Sequence, residues 1–311
     1  MKKKNNFGAI DIGSYNCRLL IAEESHKGLK TLCSSSFPTN LIKNLSFNNE
    51  FNEENISKTL SCLKIFSDKL SKFNVVDYRC VATEACRTVI NPDFFTKHVK
   101  LNTGIDVEII SSEEEARLSL KSCEIYLKKI EDYGFIFDIG GGSTELTLFD
   151  LLKSKYQSKS ISYGVINLSE KKEIYDNHYV DNQLRRHFNH FKKLTKDLNR
   201  DFITIGSCST VTTICSVFQN LKYYDPRKIE GFEMSLDNLN YTINYLTKAS
   251  ISKLKKHPCI GQRYKLLKNG LIILSIILES IRVKKMIVTQ KSLRQAIINE
   301  LKHEYEKKNK L

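Results

Sequence analysis

Apolar positions along this chain follow two patterns. In one pattern they recur every three or four residues, as in the series Ile56, Leu60, Leu63, Phe66, Leu70 and Phe73. This spacing predicts a helix with one buried face. In the other, short continuous apolar runs such as Val75–Ala82 are bounded by turn residues, which predicts buried strands. Because such strands alternate with helices, the chain is expected to be an α/β protein.

One strand-and-turn pattern occurs twice. The runs Phe7–Ser14 and Phe135–Ser143 each carry an apolar strand that ends in Asp-Ile-Gly, with Asp11 and Asp138 at equivalent places. The residues after each run are again strand-like, so each copy predicts a β-hairpin whose tip consists of glycine and serine. A supersecondary unit that is repeated within one chain favours two related lobes.

The length of the chain supports the same division. A chain of 311 residues is long enough for two domains of ordinary size. We place the first lobe at residues 1–125 and the second at residues 126–311, with a terminal helix over residues 293–311 that packs back on the first lobe. No linker rich in proline or serine separates the two lobes, so they are expected to pack closely.

The sequence favours a cytoplasmic protein without a membrane partner. The longest apolar run, Leu271–Leu278, is far shorter than the about 18 apolar residues that span a bilayer, so it predicts a buried helix. The basic start, Met1–Asn6, leads into Asp11 before the core of a signal peptide can form. Nine cysteines without a CxxC pair predict reduced, mostly buried thiols.

The charge balance is strongly basic. There are 49 lysines and arginines against 35 aspartates and glutamates, which gives a formal net charge of +14. Such an excess favours an anionic partner, for example a phosphate polymer, a nucleic acid or a membrane surface. A lysine-rich composition without any such role explains it equally well, because net charge carries no information about the fold. Both interpretations stay open.

The two hairpin tips offer a specific chemistry. An aspartate at the end of a strand places a carboxylate beside the free backbone N–H groups of a Gly/Ser turn, and these groups together bind phosphate and its Mg²⁺. Ordinary tight turns also favour aspartate and glycine. The recurrence of the pattern, with the longer tip Gly140–Glu145 in the second copy, favours phosphate binding. The chain has no Gly-Lys-Ser or Gly-Lys-Thr, so neither tip is a P-loop.

An acidic cluster, Glu113–Glu115, follows Ser112 at the predicted start of a helix. With Ser112 as the N-cap and Glu115 at the third helical position, the cluster fits a capping box. Three adjacent carboxylates also repel one another, which raises the proton affinity of at least one of them and suits a general base. Capping explains the pattern fully, and the spacing alone does not exclude catalysis.

Two further pairs of residues are candidate ligands. His187 and His190 lie three residues apart on a predicted helix, but no carboxylate or thiol is spaced to complete a metal site. A solvated helix face is therefore expected for both histidines. Arg87 and Arg263 either grip phosphate oxygens in a bidentate fork or form surface ion pairs, and spacing does not choose between these roles.

Along these motifs the chain resembles the Ppx/GppA family of exopolyphosphatases and guanosine pentaphosphate phosphohydrolases, in its short two-domain form. The resemblance implies an α/β fold of two actin-like, ribonuclease H-like lobes with a cleft between them. This is the fold of the superfamily that contains acetate and sugar kinases, chaperone ATPases and actin. The stretches that carry the resemblance are Ala9–Leu20, Val81–Arg87, Ile110–Leu118, Phe137–Glu145, Gly206–Thr210, His257–Arg263 and Leu293–Arg294.

The resemblance also implies roles for individual residues. Glu115 is expected to be the base that activates the attacking water, with Arg87 as a second catalytic residue. Asp11, Asp138 and Glu145 are expected to surround Mg²⁺, or Mn²⁺ in its place, together with the reacting water. The residues expected to hold the phosphate chain are Gly13, Ser14, Asn16, Arg18, Gly140, Gly141, Gly142, Ser143, Thr144, Gly206, Ser207, Ser209 and Thr210.

Several positions depart from the family pattern, although the expected catalytic set is whole. The arginine and the glycine of the family's Arg-Leu-Gly motif are replaced here by Asn40 and Ile42. Two further glycines are replaced by Ser112 and Ser209, and two aspartates are replaced by Lys265 and Gln290. These replacements bear on substrate preference rather than on the reaction.

Together these features predict a Mg²⁺-dependent exopolyphosphatase that releases orthophosphate from the end of inorganic polyphosphate. Conversion of guanosine pentaphosphate to tetraphosphate, a reaction of the stringent response, is expected as a second activity. Two alternatives stay open, a weakly active sensor that binds polyphosphate or alarmones and an ATP-dependent kinase on the same fold; Glu115 favours hydrolysis. The expected partners are these substrates and a second copy in a homodimer, without nucleic acid.

Overall fold

The computed structural model describes residues 5–25, 28–43, 45, 49–127, 133–196, 203–281 and 283–309, apart from the side chains of residues 190, 194 and 196. The chain forms two compact units. The first unit consists of Met1–Ser122 and Lys291–Leu311, and the second of Cys123–Gln290. The terminal segment therefore belongs to the first unit, and the division lies at Ser122, where the sequence analysis placed it at residue 125.

The first unit alternates strands with helices. Its helix α1 begins after Asn52, whose side chain accepts a hydrogen bond from the N–H of Glu54, and it buries Leu63 and Phe66 of the predicted apolar stripe. The elements in chain order are β1 (Asn6–Ile12), β2 (Asn16–Ser25), β3 (Gly28–Pro38), α1 (Glu53–Lys72), β4 (Val75–Ala82), α2 (Glu84–Thr88), α3 (Pro92–Thr103), β5 (Glu108–Ile109), α4 (Ser112–Cys123) and the terminal helix (Leu293–Lys308).

Five strands form the sheet of the first unit, in the order β3-β2-β1-β4-β5. β1, β2 and β3 pair antiparallel, whereas β4 runs parallel to β1 and β5 parallel to β4. The predicted hairpin of β1 and β2 is confirmed, and its register makes Asp11 and Arg18 direct cross-strand partners. Directly opposed residues on neighbouring antiparallel strands place their side chains on the same face of the sheet.

The two faces of this sheet are covered by different helices. Gly8 of β1 lies under α1, where a Cβ atom would be 2.6 Å from a methyl carbon of Leu70. Phe7 and Ala9 lie in one buried cluster with residues of the terminal helix. Because side chains alternate along a strand, Asp11 continues the row of Phe7 and Ala9 on the face of the terminal helix.

The second unit is richer in helix. It also contains two short 3₁₀ helices, Glu124–Tyr126 and Gly261–Arg263. Its other elements are β6 (Tyr133–Ile139), β7 (Thr144–Asp150), β8 (Lys155–Ile161), α5 (Asn167–Ile174), α6 (Asn177–Lys196), β9 (Ile203–Gly206), α7 (Ser209–Phe218), α8 (Pro226–Ile229), β10 (Phe232–Ser235), α9 (Leu236–Lys248), α10 (Ile251–Lys256), α11 (Tyr264–Ser280) and β11 (Lys285–Val288).

The sheet of the second unit repeats the plan of the first. Its strand order is β10-β11-β9-β6-β7-β8. β6, β7 and β8 pair antiparallel, β9 runs parallel to β6, and β11 runs parallel to β9, while β10 adds an antiparallel edge. Asp138 and Glu145 are direct partners in the β6–β7 hairpin, at the place that Asp11 and Arg18 occupy in the first unit.

The apolar run Leu271–Leu278 lies in α11 and is largely buried, as predicted. Among the residues that the structure describes, no helix combines the length and the apolar character needed to cross a bilayer. The nine cysteines are free thiols, and all except Cys33 are buried. This agrees with the expectation of reduced, mostly buried thiols.

Candidate active site

The first hairpin places a carboxylate and a guanidinium side by side. An oxygen of Asp11 lies 3.3 Å from a nitrogen of Arg18, and Asp11 is 4% exposed. The turn closes through the N–H of Gly13, which donates to the carbonyl of Asn16 at 3.0 Å. Ser14, at the tip, is also buried. The structure therefore brings together all the residues that the sequence analysis assigned to this hairpin.

The segment after β3 is hydrogen-bonded to this tip. The carbonyl of Tyr15 accepts from the N–H groups of Thr39 at 2.9 Å and of Asn40 at 3.0 Å, and the carbonyl of Ser14 accepts from the N–H of Ile42 at 3.1 Å. Asn40 has a φ of 51°, in the left-handed region that asparagine tolerates better than most residues. Two departures from the family pattern, Asn40 and the buried Ile42, are thus in direct contact with the first tip.

The second hairpin places two carboxylates on one face of its sheet. Oε1 of Glu145 accepts hydrogen bonds from the hydroxyls of Ser143 at 2.5 Å and Ser160 at 2.9 Å. Oδ2 of Asp138 lies 3.4 Å from the hydroxyl of Ser207, at the end of β9. These hydroxyl groups orient both carboxylates. Sequence analysis assigned all of these residues except Ser160 to the site.

The tip of the second hairpin is held through its carbonyl groups. We call Gly140–Gly142 the glycine tip. The carbonyls of Gly140 and Gly141 accept from the N–H groups of Val165 and Ile166, each at 2.9 Å, and the carbonyl of Gly142 accepts from the side chain of Asn167 at 2.5 Å. Across the described part of the chain, the N–H groups of Gly141 and Gly142 have no hydrogen-bond partner. Such N–H groups bind phosphate oxygens.

Two residues that hold the glycine tip were missed by sequence reasoning. A Cβ atom on Gly164 would lie 2.4 Å from the carbonyl carbon of Gly141 and 2.5 Å from the nitrogen of Gly142, so only glycine fits there. The N–H of Gly164 donates to Oδ1 of Asn167 at 2.7 Å. Gly164 lies between β8 and α5, and Asn167 is the first residue of α5. Glycine and asparagine are common in turns and at helix starts, so the sequence carried no signal that set them apart.

The turn after β9 joins the second hairpin to the start of α7. The N–H of Ser207 donates to the carbonyl of Phe137 at 3.0 Å, which brings the turn beside Asp138. Gly206 lies where a Cβ atom would be 3.0 Å from the ring of Phe137. α7 begins at Ser209, as the predicted turn requires. Ser207 therefore lies within the candidate site.

Thr144 and Thr210 have side-chain roles within the protein. Oγ1 of Thr144 donates to the carbonyl of Tyr163 at 2.6 Å. Thr210 is 3% exposed, and its Oγ1 would be 2.1 Å from a Cβ atom on Gly270. Both side chains thus pack against neighbouring segments, whereas Ser209 is exposed at the first position of α7. The backbone N–H groups at this helix start are the groups suited to an anion.

Glu115 and Arg87 form an ion pair in the first unit. Nη1 of Arg87 lies 2.9 Å from Oε2 of Glu115, and it donates to the carbonyl of Ile110 at 3.0 Å. Nη2 of Arg87 donates to Glu84 at 3.2 Å. Glu115 is 9% exposed. Contacts from three segments therefore fix the guanidinium, and the guanidinium in turn fixes the carboxylate of Glu115.

The capping box predicted from Ser112 and Glu115 is wrong. α4 already includes Ser112, and the hydroxyl of Ser111 accepts a hydrogen bond from the N–H of Glu114 at 3.2 Å. The cap is thus one residue earlier than predicted, because either of two adjacent serines can cap and the register of the first turn selects Ser111. Glu115 falls beyond the third helical position, so its side chain pairs with Arg87 instead.

The neighbouring acids have other partners. Glu114 accepts from Arg117 at 2.6 Å, and this hydrogen bond lowers the pKa of Glu114. Hydrogen bonds from its own N–H and from Ser111 lower the pKa of Glu113. The mutual repulsion expected from the sequence is therefore outweighed at Glu113 and Glu114 by nearby donors. Of the three acids, Glu115 is the buried one.

The second hairpin fits a hard cation. Asp138 and Glu145 offer carboxylate oxygens on one face, and oxygen ligands are those that Mg²⁺ prefers. Over the described ranges, no group of three or more His, Cys, Asp or Glu side chains is placed to hold a metal. Two carboxylates suit an Mg²⁺ ion that keeps several waters and takes phosphate oxygens as its other ligands. The assignment of Asp11, Asp138 and Glu145 as a metal set stays a prediction.

The remaining candidates have local partners. His187 is half-buried, with its ring 5.8 Å from the ring of Tyr163, so its side of the helix is only partly solvated. Burial and two nearby lysines lower the pKa of His187. The side chain of His190 lies outside the described residues. Arg263 donates to the carbonyl of Cys259 at 3.0 Å.

Relatives of known sequence include phosphatases. One from Fusobacterium nucleatum, named bifunctional 3-dehydroquinate synthase/phosphatase, is 31% identical over 301 residues, which cover 89% of this chain and 44% of the relative. One from Vibrio atlanticus, named guanosine-5'-triphosphate,3'-diphosphate pyrophosphatase, is 24% identical over 324 residues, which cover 96% of this chain and 60% of the relative. The chain thus spans about half the length of the curated relatives that it matches.

Solved structures share the fold. A Ppx/GppA family member from Aquifex aeolicus has a TM-score of 0.79 and 25% identity, and the match covers 97% of this chain and 99% of that one. An exopolyphosphatase from Cytophaga hutchinsonii has a TM-score of 0.84 at 20% identity, over 96% of this chain and 97% of that one. The actin-like α/β fold expected for the two lobes is confirmed. Because the profile of the Ppx/GppA phosphatase family also matches residues 20–304, the chain belongs to that family.

Proposed function

We propose that this protein hydrolyses terminal phosphoanhydride bonds, with inorganic polyphosphate as its main substrate and guanosine pentaphosphate as its second. The observation that carries the proposal is the ion pair of Glu115 and Arg87, because it holds a buried carboxylate in a fixed position. A carboxylate fixed in this way can accept the proton of an attacking water. A kinase on the same fold does not need such a residue.

The proposed reaction transfers the terminal phosphoryl group to water. Glu115 accepts a proton from the water as its oxygen bonds to phosphorus, and the bridging oxygen leaves with the shortened chain. Arg87, paired with Glu115, stabilises negative charge on the phosphoryl oxygens. Glu115 then returns its proton to solvent. Each of these groups is held in place by the protein before any substrate binds.

Asp138 and Glu145 are the residues proposed to hold Mg²⁺, or Mn²⁺ in its place. When bound, the cation neutralises charge on the phosphate oxygens. Without a cation the two carboxylates would repel a polyanion. The hydroxyls of Ser143 and Ser207 keep these carboxylates oriented.

The substrate order follows from charge. A formal charge of +14 favours a long polyanion over a nucleotide, because a polymer meets more cationic groups. The names of the Vibrio atlanticus relative and of the Cytophaga hutchinsonii structure point to both substrates. A cytoplasmic location, a homodimer and the lack of a nucleic-acid or membrane partner remain predictions of the sequence.

A sensor that binds polyphosphate with little turnover is a second candidate. The observation that favours it is the contact of Asn40 and Ile42 with the first tip, where the family pattern has arginine and glycine. Loss of an arginine beside a phosphate site weakens the grip on phosphate oxygens. Such a change acts on binding, and it leaves Glu115 and Arg87 in place.

The test is the release of orthophosphate from long polyphosphate, short polyphosphate and guanosine pentaphosphate, at equal concentrations of chain ends with Mg²⁺. We expect turnover of all three, with the highest kcat/KM for long polyphosphate. Binding without release would favour the sensor. Transfer of a phosphoryl group from ATP to an acceptor, without release of orthophosphate, would favour the kinase.

A further inference from the structure

The stretch of chain between Asp237 and Glu279 is basic and contains no acid. It has six lysines and one arginine, without any aspartate or glutamate. Five of the lysines are exposed, and we call them the lysine surface: Lys248, Lys253, Lys255, Lys256 and Lys265. Across the part of the chain that the structure describes, none of the five is paired with a carboxylate. Their positive charge is therefore available to an anionic partner.

Three packed helices bring these lysines onto one surface. α10 packs against α11, and α11 packs against α9. Nζ of Lys253 lies 4.7 Å from the centre of the ring of Tyr245 in α9. Nζ of Lys255 lies 5.2 Å from the centre of the ring of Tyr264 in α11. Because Lys248 also shares a helix face with Tyr245, the ammonium groups extend from α9 across α10 to α11.

The two tyrosine rings restrict the lysine side chains that lie over them. An ammonium group above an aromatic ring is attracted to the face of the ring and keeps its own charge. A lysine that is already confined in this way loses less conformational freedom when it binds an anion. Lys253 and Lys255 are therefore better prepared to bind a polyanion than lysines that extend freely into solvent.

The lysine surface lies close to the segment that supports the glycine tip. Asn269 follows Lys265 by one turn of α11, so the two residues share a face of that helix and are about 6 Å apart along its axis. Nδ2 of Asn269 donates to the carbonyl of Val165 at 2.7 Å. The N–H of Val165 in turn donates to the carbonyl of Gly140. A phosphate chain that ends at the glycine tip therefore has the lysine surface within reach.

Lys265 makes this surface particular to the present chain. The family pattern has an aspartate at this position, so the replacement puts a positive charge where a negative one is usual. None of the five lysines belongs to the residues that the resemblance assigns to the site. The lysine surface is thus a feature of this chain that the family pattern does not contain.

We infer that the lysine surface is a second binding site, which holds internal phosphate groups of a long polyphosphate chain. Polyphosphate has a charge on every phosphate, so one chain contacts several ammonium groups at once, and each contact adds to its affinity. A short chain that fills the glycine tip does not extend to the lysines. The site therefore favours long polymers over short ones. The inference rests on the proposed function in taking polyphosphate as the anionic polymer.

The first experiment measures binding of long polyphosphate to the full chain by calorimetry in EDTA, where turnover is not expected, over a range of salt concentrations. The variant combines Lys253→Gln, Lys255→Gln and Lys265→Gln. We expect it to bind the polymer about tenfold more weakly, with a slope of log affinity against log salt that falls by about 2, because each neutralised charge contributes roughly 0.7 to 0.9 to the slope. Its affinity for tripolyphosphate should stay within about twofold of that of the unchanged protein.

The matched control combines Lys64→Gln, Lys97→Gln and Lys307→Gln. It removes the same charge from three exposed lysines of the first unit. Its affinity for long polyphosphate should stay within about twofold of that of the unchanged protein. Equal losses of affinity and of slope in the two triple variants would overturn the inference, since general charge would then explain the binding.

A single substitution tests the position that is particular to this chain. Lys265→Asp should weaken binding of long polyphosphate by about fivefold, whereas Lys97→Asp on α3 should change it by less than about twofold. Melting temperatures show whether the variants fold. If the triple variant of the lysine surface does not fold, Lys265→Asp decides, and an affinity equal to that of Lys97→Asp would overturn the inference.

An oligouridylate with the same number of phosphates tests the identity of the polymer. We expect polyphosphate to bind more tightly, because its charges are closer together and more of them meet the ammonium groups. Tighter binding of the oligouridylate that depends on the same lysines would overturn the assignment to polyphosphate in favour of single-stranded nucleic acid.

Failure of this inference is separable from failure of the proposed function. A chain that binds long polyphosphate through the lysine surface but releases no orthophosphate with Mg²⁺ would refute the hydrolase and keep the second binding site. A chain that releases orthophosphate, while the triple variant of the lysine surface binds like the control, would keep the hydrolase and refute the second binding site.

Discussion

Asn167 supports the glycine tip, the candidate phosphate site of the second hairpin, through a buried side-chain amide. Its Nδ2 donates to the carbonyl of Gly142 at 2.5 Å, and its Oδ1 accepts from the N–H of Gly164 at 2.7 Å. The residue is 5% exposed. One buried amide therefore joins the glycine tip to the segment that supports it. These hydrogen bonds hold the tip in one orientation, and for the proposed phosphate site such preorganisation would lower the entropic cost of binding.

Asn167→Ala and Asn167→Asp should both raise KM for polyphosphate by about tenfold, the effect of one lost hydrogen bond to a buried carbonyl, with a smaller change in kcat. Asn167→Asp is the sharper variant because it keeps the acceptor for Gly164 and removes the donor to Gly142. Steady-state kinetics with the exposed Asn177→Ala as control makes the comparison. An Asn167→Asp variant with unchanged KM would show that the donor is irrelevant.

The paired carboxylates of the second hairpin predict a requirement for a divalent cation. Chelation should abolish turnover, and Asp138→Asn and Glu145→Gln should each raise the Mg²⁺ concentration that gives half-maximal rate by about tenfold, because each removes one oxygen ligand. Titration of the rate with Mg²⁺ checks this. Full activity in excess EDTA would contradict the arrangement.

At the scale of the element, the helix that carries Glu115 is joined to the terminal helix by charged groups. Arg117 of α4 lies 2.6 Å from Glu114 and 2.6 Å from Glu300, and Lys121 lies 3.0 Å from Glu300. The hydrogen bond from Arg117, with that from Lys121, lowers the pKa of Glu300 to about 2. This network fixes α4 along its length and so supports the position of Glu115.

Glu300 should stabilise the protein in a pH-dependent way. Its pKa of about 2 in the folded chain lies below the value of about 4.3 for an unfolded one, so its contribution is present above pH 4.3 and is lost as the pH falls towards 2. Glu300→Gln should lower the free energy of unfolding at pH 7 by about 1 kcal/mol, a value reduced for solvent screening. The difference from the unchanged protein should shrink as the pH approaches 2.

Urea unfolding at pH 7 and at pH 3 measures this effect. The control is Glu304→Gln, an exposed acid on the same helix. Equal losses for Glu300→Gln and Glu304→Gln at pH 7 would show that the network contributes nothing beyond general charge.

The elements that sequence predicted well are those fixed by neighbours along the chain. The two hairpins follow from short apolar runs that end in Asp-Ile-Gly and from Gly/Ser tips, which is local information. The predicted N-cap of α4 was wrong by one residue, because the local sequence does not distinguish Ser111 from Ser112 as the capping serine. The contact of Glu115 with Arg87 depends on how separate elements pack, and no spacing rule contains it.

At the scale of the whole molecule, one sheet plan is used twice with different chemistry. Each unit places an aspartate at the end of its first strand, and the partner across the hairpin is Arg18 in one unit and Glu145 in the other. The sequence revealed the repeat, since both copies keep Asp-Ile-Gly. It did not reveal the difference in charge, because the partners are defined only by strand register. Membership of the Ppx/GppA phosphatase family supports a phosphatase activity more strongly than either hairpin does alone.

The surplus charge of +14 predicts a difference between substrates. If lysines and arginines contact the polymer, raising ionic strength should weaken the apparent affinity for long polyphosphate more steeply than that for guanosine pentaphosphate. The logarithm of the binding constant falls with the logarithm of salt in proportion to the charges neutralised, by analogy with nucleic acids. Measurements of KM for both substrates over a range of salt supply the slopes. Equal slopes would mean that the excess charge is compositional.

The most direct test of the central claim compares Glu115→Gln with Glu113→Gln in orthophosphate release from polyphosphate. Glu115→Gln should lose about 10²- to 10⁴-fold in kcat, the usual contribution of a positioned general base, while it keeps substrate binding. Glu113→Gln makes the same chemical change two residues away, on an exposed side chain, and should keep nearly full kcat. Near wild-type turnover by Glu115→Gln, or equal losses in both variants, would contradict the role of Glu115 as the base.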